Sequence, residues 1–332
     1  MLSRAAEAVY WMSRYAERAE NVARFLQVSL EVTLDVGDPR GDAWPGIIAA
    51  TGDQALFTGR YGDATRDSVL RFLTIDAESP NSILSCLRLA RDNARSIQEA
   101  ISSEMWQQIN KWYLLVREAA AAGSVLDDPH DFLTAVKEAS HLFVGLTYLT
   151  MTHGEGWHFG RLGRLLERAD QTSRIIDAKQ TILFARPLDV VASLDEVHLS
   201  GLLRSVSALE MYRKRHGRIE HGPVIEFLVL DKLFPRSIRH CLDNAQESLR
   251  AIAGTPAQAP RSRAERLLGR LGAEYENAVV EEILAEGLHD HCDRMQLKLN
   301  DVGLAIYETF FATRPEAPST ADDAVQLAEA AQ

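Results

Sequence analysis

Apolar positions recur at three- and four-residue intervals along most of this 332-residue chain, which is the spacing of one face of an α-helix. Runs of this kind cover residues 3–35, 45–58, 81–120, 130–152, 158–185, 196–215, 236–252 and 262–312, the last with at least one break. No stretch alternates apolar and polar residues long enough to demand a sheet, so the pattern predicts an all-α protein. Gly and Pro punctuate the runs at Gly37–Gly41, Ser79-Pro80, Asp127–Pro129, His153–Gly156, Gly222-Pro223 and Gly254–Pro256. Beyond Thr313 the segment Arg-Pro-Glu-Ala-Pro-Ser-Thr reads as a linker into a flexible tail, residues 314–332.

The chain also repeats itself. ERAENVAR at Glu17–Arg24 returns as ERADQTSR at Glu167–Arg174, an offset of 167 − 17 = 150. VLRFLTIDAESPNSILSCL at Val69–Leu87 returns as VIEFLVLDKLFPRSIRHCL at Val224–Leu242, an offset of 224 − 69 = 155. The second match pairs Phe72 with Phe227, Asp76 with Asp231, Pro80 with Pro235, Ser82 with Ser237 and Cys86 with Cys241. Two diverged copies of one helical unit are therefore expected, residues 1–152 and 153–313, packed as a duplicated bundle about a pseudo-two-fold axis in the way identical subunits pack.

Within the first copy Val9, Met12, Ala16, Ala19, Ala23 and Leu26 follow a four-three spacing, the seam of a close helix pair. The opposite face carries Tyr10, Trp11, Arg14, Glu17, Arg18, Asn21 and Phe25, so its charges are interleaved with large aromatics and should be partly buried. The second copy keeps the polar pattern as Arg164, Glu167, Arg168 and Gln171. Two arginines thus accompany one glutamate in each strip. Such a surplus suits a carboxylate or phosphate held by guanidinium forks. The favoured reading is internal: Arg14 and Arg18 on Glu167, and Arg164 and Arg168 on Glu17, with the two ER helices in contact, because buried charges need partners.

Just before the second ER motif, HGEGWHFGRLGR at His153–Arg164 reads as a Gly-rich loop leading into a helix. Its Glu155, His158, Arg161 and Arg164 join the ER residues as candidates for an anion or substrate site, since helix N-terminal amides and guanidinium groups both favour negative charge. A metal site is not indicated. Glu138-x-x-His141 and Glu155-x-x-His158 resemble half of a di-metal bundle, but the second lies in the Gly-rich segment and has no repeat-related partner. His289 and His291 read as surface helix residues. No nucleotide-loop, zincin or nucleophile-elbow motif is present, and no cofactor is called for. Cys86 and Cys241 sit in apolar surroundings and read as core, as do Trp106, Trp112 and Tyr113.

A formal net charge of −11 argues against nucleic acid as a partner, because that affinity rests on clustered cations. Three cysteines without a CxxC pair suggest a reducing compartment. The start of the chain lacks a signal-peptide pattern, and no segment is long and apolar enough to span a bilayer, so a cytoplasmic protein with no membrane contact is expected.

LSRAAEAVYWMSRYAERAENVAR, NSILSCLRLARDNARSI, SSEMWQQIN and GLTYLTMTHGEGWHFGRLGRLLERAD together resemble the bacterial Alpha-E family, helical proteins with a repeated Glu-Arg motif. The resemblance covers most of residues 2–312 in order. The first helix reads Trp11-Met12-Ser13-Arg14 where the family commonly has a glycine before the arginine, which leaves the ER positions untouched. The resemblance implies partnership with a circularly permuted ATP-grasp ligase, and with a transglutaminase-like protein, in peptide synthesis or modification. Three functions follow as expectations: a helical module that holds an acidic peptide or other small anion for such a ligase, a stand-alone enzyme with a His/Glu/Arg site, or a scaffold for homo-oligomers.

Overall fold

The computed structural model describes residues 1–36, 43–184, 192–256 and 261–312, and the expected tail at 314–332 and the break at Gly37–Gly41 lie outside them. Among the described residues the secondary structure is helical throughout, with no strand. The first half contains α1 (Ser3–Val36), α2 (Ala43–Thr51), α3 (Gln54–Tyr61), α4 (Arg66–Thr74), α5 (Ile83–Ser96), α6 (Ser103–Ala122) and α7 (Pro129–Thr150). The second contains α8 (Glu155–Phe184), α9 (Ala192–Ser205), α10 (Leu209–Arg215), α11 (His221–Leu230), α12 (Ile238–Ala253), α13 (Arg263–Asn277), α14 (Val280–Glu286) and α15 (Leu288–Ile306), closed by a π turn at Tyr307–Phe311.

Helix ends follow local chemistry. Ser82 and Ser237, each directly after the proline-containing turn of its copy, cap α5 and α12 by accepting from the amides of Ser85 and His240, both at 3.1 Å. Ser102 does the same for α6, accepting from Met105 at 3.2 Å. That cap explains why the apolar run at 81–120 is two helices instead of one: residues 97–102 form a turn that resets the chain. Gly254 ends α12 in the left-handed region at φ 62°, where a glycine carries no side-chain penalty.

Two elements escaped the periodic reading. The segment His221–Leu230 is so uniformly apolar that it shows no helical stripe, and Gly222-Pro223 suggested a break. Both residues instead lie in the first turn of α11, where the missing amide of proline has no intrahelical acceptor to lose. The other is α4, only nine residues long.

A continuous core links the two halves, with Tyr10, Trp112, Tyr212, Tyr275, Phe57 and Phe72 among its enclosed side chains. At its centre α1 packs against α8; α5 lies on α1, and α12 lies on α8. Residues matched by the sequence repeat make matching contacts. Tyr61 stacks on Phe57 and meets Phe72 edge-on, while His216 stacks on Tyr212 and meets Phe227 edge-on. Arg60 pairs with Asp76 and Arg215 with Asp231. The offset is 155 in every case (216 − 61, 212 − 57, 227 − 72, 215 − 60, 231 − 76).

Candidate functional site

Close approach of α1 and α8 depends on glycine. A Cβ on Gly163 would lie 2.5 Å from the Tyr10 carbonyl oxygen, and one on Gly160 would lie 3.0 Å from the Ser13 hydroxyl. The segment expected to be a Gly-rich loop is therefore helix from Glu155 onward, and Gly160 and Gly163 serve contact between helices instead of a backbone cradle. The contacts climb both helices together, from Met1 with Gly156, through Val9 with Gly160 and Tyr10 with Gly163, to Arg18 with Glu167, so the pair runs parallel.

This packing encloses the ER residues. Glu167, fully buried, accepts from Arg14 Nε at 2.9 Å, from Arg18 Nε at 2.6 Å and from Arg18 Nη2 at 3.0 Å. Glu17 accepts from Arg168 Nε at 2.7 Å and Nη2 at 2.9 Å. Each glutamate also takes an amide from its own helix, Glu17 from Asn21 at 3.1 Å and Glu167 from Gln171 at 3.2 Å. The expected exchange between ER helices is present for Arg14, Arg18 and Arg168. Arg164 departs from it: no ion pair joins it to Glu17, and its enclosed Nε has no hydrogen-bond partner.

Arg236 takes the place expected for Arg164. Its Nη1 reaches Glu17 at 3.4 Å and Asn21 Oδ1 at 2.8 Å, and its Nη2 reaches the buried Glu20 at 2.8 Å. Glu20 also pairs with Arg24, which donates to Ser207. Arg236, Glu20 and Arg24 were not among the sequence candidates. One signal for Arg236 was present, since the repeat sets it opposite Asn81 (236 − 81 = 155), an unlike pair inside an otherwise matched turn. In the first half Asn81 accepts from Arg18 Nη1 at 2.8 Å and donates to Asp53 at 2.7 Å.

The electrostatics follow from this arrangement. Burial alone raises the carboxyl pKa of Glu167, but Arg18 and Arg14 outweigh it and hold the group at about 2. Burial acts the same way on Glu17, and Arg168 and Arg236 bring it well below the usual carboxylate range. The guanidinium groups of Arg24, Arg164 and Arg236 are instead lowered, to about 9, about 10 and about 10, first by burial and then by neighbouring arginines. They remain charged at neutral pH, incompletely compensated: Arg14, Arg18, Arg24, Arg164, Arg168 and Arg236 face Glu17, Glu20 and Glu167.

Of the remaining candidates, Arg161 lines one recess with Arg164 and Glu17, while Glu155 and His158 lie apart from the strip. Arg161 turns to α12, donating to Glu247 at 2.7 Å, to Ser248 at 3.1 Å and to Asn244, with Trp157 beneath its guanidinium. Glu155 is exposed and accepts from the Met1 amino group at 2.6 Å. His158 has an enclosed, unpartnered Nδ1, and burial followed by Arg161 lowers its pKa. His291 is buried, contrary to the surface reading, because its Nε2 meets the Tyr275 hydroxyl at 2.9 Å inside the core. His289 is exposed beside Asp177 and Asp293, the one group with metal-ligand spacing among the described residues. Neither Glu-x-x-His pair belongs to it.

All three cysteines are buried, and burial raises Cys86 and Cys241 to about 12. Nucleophilic thiol chemistry is thereby disfavoured. None should react with a chromogenic thiol reagent at pH 8 until the protein unfolds, and a fast-reacting thiol in the native state would refute their placement.

Two parallel helices that exchange buried Arg–Glu pairs within an all-α bundle define the class of this protein as an ER-motif helical domain. The chain belongs to the Alpha-E family, described as a predicted alpha-helical domain with a conserved ER motif, whose model matches residues 1–311. It is similar to uncharacterized proteins of Mycobacterium bovis and Mycobacterium tuberculosis, each 25% identical over 303 residues, 84% of this chain. The chain spans 33% of the length of those relatives. No solved structure matches it. Among the described residues no helix is long and apolar enough to cross a membrane.

Proposed function

We propose that this domain is a non-catalytic module that holds a small anionic group, such as an acidic peptide, for a partner enzyme. The resemblance to the family supports an ATP-grasp-type ligase as that partner, with a transglutaminase-like protein as a further associate, in peptide synthesis or modification. One observation carries the reading: Arg164 sits between α1, α7 and α8 with its Nε unpartnered, while Glu17, its nearest carboxylate by sequence expectation, is already held by Arg168 and Arg236. The recess itself, about 10 Å³, has no room for a carboxylate, so the anion would reach the guanidinium from its rim and there complete a charge balance that the chain leaves open. The field of the buried arginines reaches α7, where burial and then Arg24 lower the pKa of Lys137 and of His141. That the matching region forms only a third of longer relatives agrees with a module that works beside other domains.

A stand-alone enzyme is less well supported, because Arg161 and Glu155 are occupied elsewhere and His153 is packed against Trp157. A scaffold is favoured by a different observation: the ER pairs lock α1 to α8, a structural task sufficient to account for Glu17 and Glu167. Calorimetry with glutamate, ATP and short acidic peptides, with and without the ATP-grasp partner, separates the readings. Binding that Arg164→Gln abolishes with the helical signal intact supports the module. Absence of binding, together with no capture of the ligase in a pull-down, leaves the scaffold.

A further inference from the structure

The two halves differ at one place where the repeat supplies a direct comparison. In the second half Arg236 inserts its guanidinium between Glu20 and Asn21. The repeat aligns Glu20 with Asp170 and Asn21 with Gln171 at the offset of 150, and Arg236 with Asn81 at 155. Asn81 is several atoms shorter than arginine. Beside it lies a cavity of about 180 Å³ whose polar lining includes Asn81, Asp170, Gln171 and Arg174. That is far above the roughly 10–15 Å³ of such space that one water needs.

Asp170 is 7% exposed, and its Oδ1 is enclosed without a hydrogen-bond partner. Its Oδ2 accepts from Arg174 Nε at 2.8 Å, which leaves the terminal nitrogens of Arg174 available. Asp170 and the guanidinium donors line the cavity against an apolar wall of Phe25, Leu73 and Ile175, with the enclosed Asp170 Oδ1 set back from its surface, so the carboxylate has to turn about its last bond to meet a ligand. A buried carboxylate oxygen calls for a donor, preferably a cationic one. A lone cation would meet Arg174 and Arg18 unfavourably, whereas a lone anion would leave Asp170 unmet. The geometry points to a zwitterion: a free α-amino acid with an apolar side chain, its ammonium group on Asp170, its carboxylate on Arg174 and its side chain on the wall. The site does not include Arg164 and stands independently of any ligase partner.

Calorimetry on the full chain with L-leucine, L-phenylalanine and L-methionine tests this. At least one should bind saturably, and its N-acetyl and amide derivatives, each lacking one charge, should bind about 10-fold more weakly or worse. Asn81→Arg supplies the guanidinium that Arg236 supplies in the other half, so it should abolish binding while the helical circular dichroism and unfolding midpoint are kept. If that variant does not fold, Asp170→Asn replaces it and should weaken binding by a similar factor. Absence of binding by all three amino acids, equal affinity for the capped forms, or wild-type affinity in a folded Asn81→Arg or Asp170→Asn protein overturns the assignment. Arg164→Gln should leave this binding unchanged, which keeps its outcome separate from that of the anion site between α1, α7 and α8.

Discussion

Replacing Glu167 by glutamine is expected to lower the unfolding free energy by about 3–5 kcal/mol, the range for removing one partner of a buried ion pair. The side chain keeps its size, so the loss isolates charge. Arg14 and Arg18 both rely on this carboxylate, and Arg18 engages it through two nitrogens. Glu17→Gln should cost less, because Arg236 retains Glu20 and Asn21 when Glu17 is neutralised. Urea unfolding of the two variants measures the difference as a shift in midpoint at constant slope. Equal losses would show that Arg236 does not share its charge among the three.

Acid should act through the same carboxylates. The folded pKa of Glu167 lies at about 2 against an ordinary value of 4.5, and a group lowered in this way adds stability above its unfolded pKa. That contribution is present in full above about pH 5 and is lost as pH falls from about 4.5 towards 2. Glu17 is lowered in the same sense. The wild-type protein should therefore lose stability more steeply over this window than Glu167→Gln does, and parallel curves would show that Glu167 is solvated.

Much of this arrangement was legible in the sequence because it depends on spacing. The aromatic residues between the charges of α1 signalled a buried face, and Tyr10, Glu17, Asn21 and Phe25 are indeed buried. The ER repeat signalled a helix pair, and the exchange of Arg14, Arg18 and Arg168 across it followed from counting charges. Arg236 was harder to find because it enters from the turn just before α12, far from the ER helices in sequence, and no local period reports a side chain crossing between elements. His291 was misplaced for a related reason: only tertiary packing brings the Tyr275 hydroxyl to it. The Gly-rich segment misled most. Four glycines in twelve residues lower helix propensity by roughly 1 kcal/mol each relative to alanine, and burial against α1 overrides that preference.

The same glycines yield a prediction in which one substitution should act with opposite signs at two sites. Gly163→Ala is expected to destabilise the protein by about 1–3 kcal/mol, the usual cost of inserting a methyl group into a filled contact. The new Cβ would stand 2.5 Å from the Tyr10 carbonyl oxygen, with the Tyr10 ring at 3.1 Å and the Arg14 stem at 3.2 Å. A backbone oxygen cannot swing aside as a side chain can, so α1 would have to shift as a body. Such a shift would stretch the Arg14 and Arg18 contacts on Glu167 one turn further on. Gly145 lies within α7, and a methyl group added to it would meet no atom within 4 Å. There the substitution meets only helix propensity and should stabilise by about 0.5–1 kcal/mol. Thermal and urea unfolding of both variants decide the matter: if Gly163→Ala also stabilises, α1 and α8 are not in the close contact that places the arginines on the glutamates, and the ion-pair strip would have to be held by some other packing.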